Sequence, residues 1–215
     1  MSKTGNIPSP VYLYRIIHVD NLPFILDEQE LRCPNHLDSD PDYLGIGDIT
    51  LIQSRGSKVI PIEPGETFRD YISFYSGPRS PMLYEIKHGY NNVIKRNQED
   101  IIYLIVTVDS ILKQACDYVF FDGHGYHNFS GCYKDLRDLA QVDWNIVKAK
   151  YWNNNENDPD RKRRKQAEFL VNKSIPWIAI QSICVYNSTA KQYVQNILNS
   201  RNISCTVLIK TDYYY

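Results

Sequence analysis

The chain has 215 residues, with 24 Lys+Arg against 25 Asp+Glu and a formal net charge of −1. That length suits one domain spanning 1–215 with a sizeable core, and 43% hydrophobic with 23% charged residues excludes wholesale disorder. No stretch approaches the ~20 apolar residues of a membrane span, and the balanced charge excludes a uniformly basic coat, though not a local basic patch.

In chain order, Met1–Asn6 has no apolar core behind it, so no signal peptide is expected. Val11 to Val19 is β-branched and aromatic and reads as a strand. Asp20-Asn21 can then cap a short helix, Leu22 to Asp27, with Pro23 in its first turn. Residues 34–50 carry two prolines, two glycines and several aspartates, a long polar loop of the kind that is usually functional. Phe68 to Tyr75, Met82 to Ile86 and Ile101 to Val108 are expected as strands, the last buried on both faces. Asp109 to Ala115 suggests a helix capped by its aspartate, and Val119 to Phe121 a short strand. Tyr133 to Lys150 has helical spacing, Ala190 to Ser200 a second helix, and Ile178 to Tyr186 and Ser204 to Lys210 flank it as strands. The sum is a mixed α+β domain.

Five widely spaced cysteines with no Cys-x-x-Cys pair point to reduced thiols in a cytoplasm rather than a disulfide scaffold. The 17 tyrosines offer a stacking face and a hydroxyl together, useful to a core and to a nucleotide site alike. No phosphate-binding glycine loop or nucleophile elbow is present. His124, His127 and Cys132 are too few and too loosely spaced for zinc, so no metal is expected. Glu168 stands out, a carboxylate between Ala167 and Phe169-Leu170-Val171. It is either a strand-edge acid paired with one of the basic residues 161–165, or an acid with chemical work to do. His124 lies between two glycines at a strand end, as a backbone-bonded turn histidine or a binding group. Arg55 follows the long loop, and Arg161 to Lys165 is either a solvated helix face or a phosphate patch.

Taken together, Tyr14 to Leu22, Phe74-Tyr75 with Arg79 to Tyr84, Phe120 to His124, Gln141 to Trp144 and Gln166 to Val171 resemble the DarT family of bacterial DNA ADP-ribosyltransferase toxins. The resemblance implies an ADP-ribosyltransferase fold, a split, mostly antiparallel β core with flanking helices and an NAD cleft. It implies transfer of ADP-ribose from NAD to a base in single-stranded DNA, with no metal and a macrodomain antitoxin of the DarG kind as partner. Glu168 falls on the family's catalytic acid, Arg55 on its catalytic arginine and His124 on the histidine of its Asp-x-His block. Arg15, Ile16, Ile17 and His18 stand where some members have His-Ile-Thr-His, and with Phe24, Arg55 and Tyr75 they are the expected NAD contacts. Tyr126, His127 and Asn128, with Arg163 and Arg164, are the expected contacts to DNA. Glu168→Ala is expected to abolish transfer and to leave stability unchanged or raised, because an unpaired buried acid is lost. Ser80 to Leu83 and Gln166 to Glu168 most resemble the thymidine-modifying branch. The competing readings are an acceptor of guanine, RNA or protein, and a non-catalytic nucleic-acid-binding module.

Overall fold

The computed structural model describes residues 5–215, so Met1 to Thr4 of the N-terminal stretch lie outside the described residues. The apolar run starting at Val11 forms β1 (Tyr12–His18), and a 3-10 turn leads into α1 (Leu22–Asp27), with the predicted bounds and proline position. A short β2 (Glu30–Arg32) precedes the long loop, and α2 (Ile49–Gly56) closes it, capped by the Asp48 carboxylate at Leu51 N–H. Next come β3 (Tyr71–Tyr75), α3 (Pro81–His88), β4 (Ile101–Thr107), α4 (Val108–Lys113), β5 (Tyr118–Phe121) and β6 (Cys132–Tyr133). The C-terminal part holds α5 (Trp144–Lys148), α6 (Arg161–Lys165), β7 (Glu168–Asn172), β8 (Ser174–Pro176), β9 (Ser182–Val185), α7 (Ser188–Asn199) and β10 (Thr206–Ile209).

Eight strands form one sheet in the order β10-β9-β4-β1-β3-β7-β5-β6, and β2 pairs with β8 separately. Among the described residues only β9 and β10 run parallel, because α7 carries the chain back across. The expected α+β architecture with a mostly antiparallel core is what the chain adopts. The split is visible in the register. β1 pairs with β4 from Tyr12↔Thr107 to His18↔Ile101, yet shares with β3 the single pair Tyr14↔Tyr75. The two halves therefore meet at one rung and diverge beyond it.

Strand alternation sorts the side chains into three apolar clusters. Ile102, Leu104 and Val106 of β4 join Leu13, Ile17 and residues of α1 and α7. Ile101, Tyr103 and Ile105 face the other way, against Leu83 and Ile86 of α3 and the terminal Tyr214. Burial on both faces explains the unbroken apolar run. Phe68, Tyr71, Phe121 and Leu170 form the third cluster, beneath α2.

Three local expectations are corrected. Residues 82–86 are helical: Ser80 Oγ accepts from Leu83 N–H at 3.3 Å, Pro81 starts the helix, and Gly89 at φ 71° ends it. The alternation of Met82 to Ile86 looked β-like, but Leu83 and Ile86 are three apart and share a buried face. The expected long helix 133–150 is broken into a 3-10 segment (Leu136–Gln141) and α5. Val142 is extended there because Asp143 serves as the N-cap, accepting from Ile146 N–H at 3.1 Å. The cap of α4 is Thr107, which exchanges hydrogen bonds with Ser110, and not Asp109.

Lys165 is 1% exposed, and its Nζ donates to the carbonyls of Pro78, Val147 and Ala149 at 2.9, 2.7 and 3.0 Å. Burial pushes its ammonium down to about 7, while three acceptors call for all three N–H donors. It therefore fastens α5 and the segment after β3 to the turn that leads into Glu168.

Candidate active site

β7 lies between β3 and β5, and its first residue, Glu168, stands opposite Tyr75 on one side and Phe121 on the other. Its side chain is 2% exposed. The partner is Arg55, from the last turn of α2, where a cation suits the helix C-terminus. Arg55 Nη1 donates to Glu168 Oε1 at 2.9 Å and Nη2 to Oε2, a bidentate fork. Nη2 also reaches Ser73 Oγ at 3.2 Å, and the guanidinium lies 4.5 Å from the Phe68 ring centroid. The structural reading of Glu168, a pairing with one of residues 161–165, is therefore excluded, since the acid pairs with a residue 113 positions away. The expectation that Glu168 is unpaired falls with it.

Tyr75 faces the same side as Ser73, and burial, then the Glu168 charge, pushes its hydroxyl well above the ordinary phenol range. It stays a neutral phenol beside the carboxylate. Arg15, on the far side of the split, donates from Nη1 to Ser73 O at 2.9 Å and from Nη2 to Tyr43 O–H at 3.4 Å. Ser73 thus joins Arg15 and Arg55 through its carbonyl and hydroxyl respectively. Sequence reading passed over it, although alternation with Tyr71 and Tyr75 on β3 was the available signal. Arg15 and Phe24 line one cavity of about 170 Å³ with Tyr43. Ile16 packs with the α3 cluster, and His18 caps the following turn by accepting from Asp20 N–H at 3.2 Å. Ile17, expected as an NAD contact, is 0% exposed and packs its side chain in the main core.

His124 sits on the loop between β5 and β6. Burial lowers its pKa from the usual 6.5, with Glu168 acting against that and Arg55 with it, so the imidazole is neutral near pH 7. The flanking glycines are there for space, not for the turn geometry expected of them. A Cβ at Gly123 would stand 2.4 Å from Arg163 Nη1, and one at Gly125 would stand 2.9 Å from the Phe68 ring. Lys58 Nζ donates to Tyr126 O at 2.9 Å and lies 5.2 Å from its ring, tying this loop to the segment after α2. Tyr126, His127 and Asn128 are exposed, and Phe129, which sequence reading missed, is 82% exposed. His124 and His127 line a second cavity of about 320 Å³ with Met82, Lys162 and Gln166.

The last three residues of the basic run are not free cations. Arg163 pairs with Asp122 and Asp160, Arg164 with Asp143 and Asp158, and Lys165 is buried. The signal was in the sequence as the acidic stretch just before it. Among the described residues no three His, Cys, Asp or Glu side chains converge as a metal set would.

The split, mostly antiparallel sheet, with Glu168 on an inner strand fork-bonded to Arg55 at the end of α2, defines a protein of the ADP-ribosyltransferase fold class. Residues 14–215 match the family described as "ssDNA thymidine ADP-ribosyltransferase, DarT". The chain belongs to that family. A DNA ADP-ribosyl transferase of Escherichia coli O127:H6 is 32% identical over 97% of this chain and 95% of its own. DarT of Thermus sp. 2.9, solved in complex with ADP-ribosylated ssDNA, superposes with a TM-score of 0.91 at 34% identity, covering 99% of this chain and 100% of that one. The same protein in complex with NAD+ gives 0.85 over 98% and 100%. A DNA ADP-ribosyl transferase–DNA ADP-ribosyl glycohydrolase fusion protein of Thermosipho africanus is 24% identical over 89% of this chain and 46% of its own.

Proposed function

We propose that this chain takes NAD as co-substrate and moves its ADP-ribose to thymine in single-stranded DNA, acting as one domain and without a metal. The observation that carries the reading is Glu168, a carboxylate 1% exposed and held by both oxygens in the Arg55 fork. Breaking the nicotinamide–ribose bond sends its electron pair to nicotinamide and leaves positive charge on the ribose. A fixed, ionised Glu168 stabilises that charge as it grows. Thymine N3 attacks the ribose carbon and loses its proton, which neutral His124 is suited to accept. The Arg55 cation stabilises the thymine anion through a carbonyl oxygen, O2 or O4, and Arg15, Phe24 and Tyr75 hold the dinucleotide along the split. Tyr126, His127 and Asn128 receive the strand, since a duplex would hide the reacting atom.

A macrodomain antitoxin that removes ADP-ribose from DNA is the partner this chemistry calls for. The fused glycohydrolase of the Thermosipho relative supports that pairing. Among the described residues no helix is long and apolar enough to cross a membrane, and all five cysteines are free, which supports work in the cytoplasm.

Oligonucleotides of matched length test the acceptor. Labelling from NAD is expected on single strands containing thymine, about 100-fold less on the same sequence as a duplex, and none on a strand lacking thymine. Labelling that survives loss of thymine but not of guanine would reassign the base. Labelling of RNA or protein alone would reassign the acceptor class.

The acid limb of kcat/KM should report His124. Its pKa is lowered, so it remains the neutral proton acceptor until the pH falls below 6.5. Activity is expected to hold from pH 8 to 6.5 and to fall with unit slope only below that value. In His124→Gln the limb should vanish along with most of the activity. The same shift predicts that its stabilising share is present above pH 6.5 and lost as the pH falls through the folded-state pKa.

A further inference from the structure

Arg163 stands in the middle of the basic run, yet its side chain is only 10% exposed. Nε and Nη2 each donate to Asp160 at 2.7 Å, and Nη1 donates to Asp122 Oδ1 at 3.0 Å and Ser130 Oγ at 3.1 Å. Ser130 Oγ in turn donates to the His124 carbonyl at 2.8 Å, while Asp122 Oδ1 accepts from Gly131 N–H at 2.9 Å. The Arg163 carbonyl accepts from His124 N–H at 3.0 Å and from Gln166 N–H at 3.1 Å. One residue therefore grips both ends of loop 122–131 and the turn that delivers Glu168.

We propose that Arg163 is a positioning residue that sets the loop, and with it the DNA strand, against Glu168. This rests on the reading that the loop receives DNA. The exposed Phe129 fits that role, because its amide is fixed to His127 Nδ1 at 3.3 Å and holds an apolar ring out in water, ready to stack on a base. Only a guanidinium supplies donors in a fixed fork to three partners at once. A DNA phosphate would have to displace two carboxylates to reach it. Gly123 shows how tightly the loop is seated, since a Cβ there would overlap Nη1.

The test compares Arg163→Lys, Ser130→Ala, Phe129→Ala and the full wild-type chain on a thymine-containing single strand. Arg163→Lys is expected to raise the KM for the oligonucleotide about 10-fold and lower kcat about 10-fold, with the KM for NAD within about twofold. Hydrogen exchange at His124 and Gly131 should speed up in the same variant. Ser130→Ala, which leaves both ion pairs, should change the same two constants by about threefold. The slope of log KM against log salt should stay as in wild type. A slope lower by about one would mean a phosphate contact and overturn the positioning role. If Phe129→Ala raises the oligonucleotide KM and Arg163→Lys does not, the inference fails and the loop reading stands. If neither variant moves that constant, the loop reading itself fails. An equal rise in the KM for NAD together with a lowered Tm would reduce Arg163 to a general structural role and overturn the proposal.

Discussion

Glu168→Gln should lower transfer of ADP-ribose to DNA by about 10³-fold while the protein remains folded. The amide is nearly isosteric and keeps one acceptor for Arg55, but it turns an NH2 toward the other guanidinium donor and removes the charge that would stabilise the developing ribose cation. Glu168→Ala should lose activity equally but also cost about 3 kcal/mol of stability, because it strands a partly buried guanidinium. That reverses the expectation from sequence, which took the acid to be unpaired. Rate measurements with labelled NAD and denaturant unfolding of the two variants separate these effects. Near wild-type labelling by Glu168→Gln would remove Glu168 from the mechanism. Induced expression gives a second readout: wild type should arrest growth where Glu168→Gln does not.

Arg55→Lys should cost about 10²-fold in transfer even though the charge is conserved. Lysine is a point charge and cannot hold both Glu168 oxygens and Ser73 Oγ together. Arg55→Met should go further, since it leaves Glu168 at 2% exposure with no counter-ion and drives its proton affinity up. The activity of Arg55→Met should then recover in part as the pH is raised, whereas wild type shows no such limb above pH 7. Activity of Arg55→Lys within threefold of wild type would show that charge alone suffices and that the fork is incidental.

Where one face or both faces of an element are apolar in an unbroken rhythm, the sequence was readable. β1, β4, α1 and α7 follow from such patterns. Met82 to Ile86 misled because five residues fit either period, and the decisive signal was the Ser80-Pro81 cap just outside them. β2 and β8, three residues each, pair across more than 140 positions and carry no local pattern long enough to detect.

The site divides in the same way. Glu168 announced itself as a charge in an apolar strand, and the burial is as extreme as that suggests. Arg55 entered the site through the family resemblance alone, and its pairing with Glu168 was not legible, because nothing local says that the end of α2 folds over β7. The basic run was misleading for a related reason. Five cations in a row look free until the fold brings the aspartates at 122, 143, 158 and 160 to Arg163 and Arg164 and three carbonyls to Lys165.

The place of β7 has a consequence for biosynthesis. It is inserted between two strands made earlier, β3 and β5, and is among the last of the sheet to leave the ribosome. Until it does, β3 and β5 each have an open edge and Arg55 has no carboxylate, since its partner lies 113 positions further on. Such non-local closure is slow relative to helix formation. On the proposed role of Glu168, a nascent or prematurely terminated chain that stops before it should be inert, and the capacity to modify DNA should arise in one late step. A cell making this enzyme alongside a partner that restrains it gains that interval, the time between the first strand and the seventh, in which the partner can be completed.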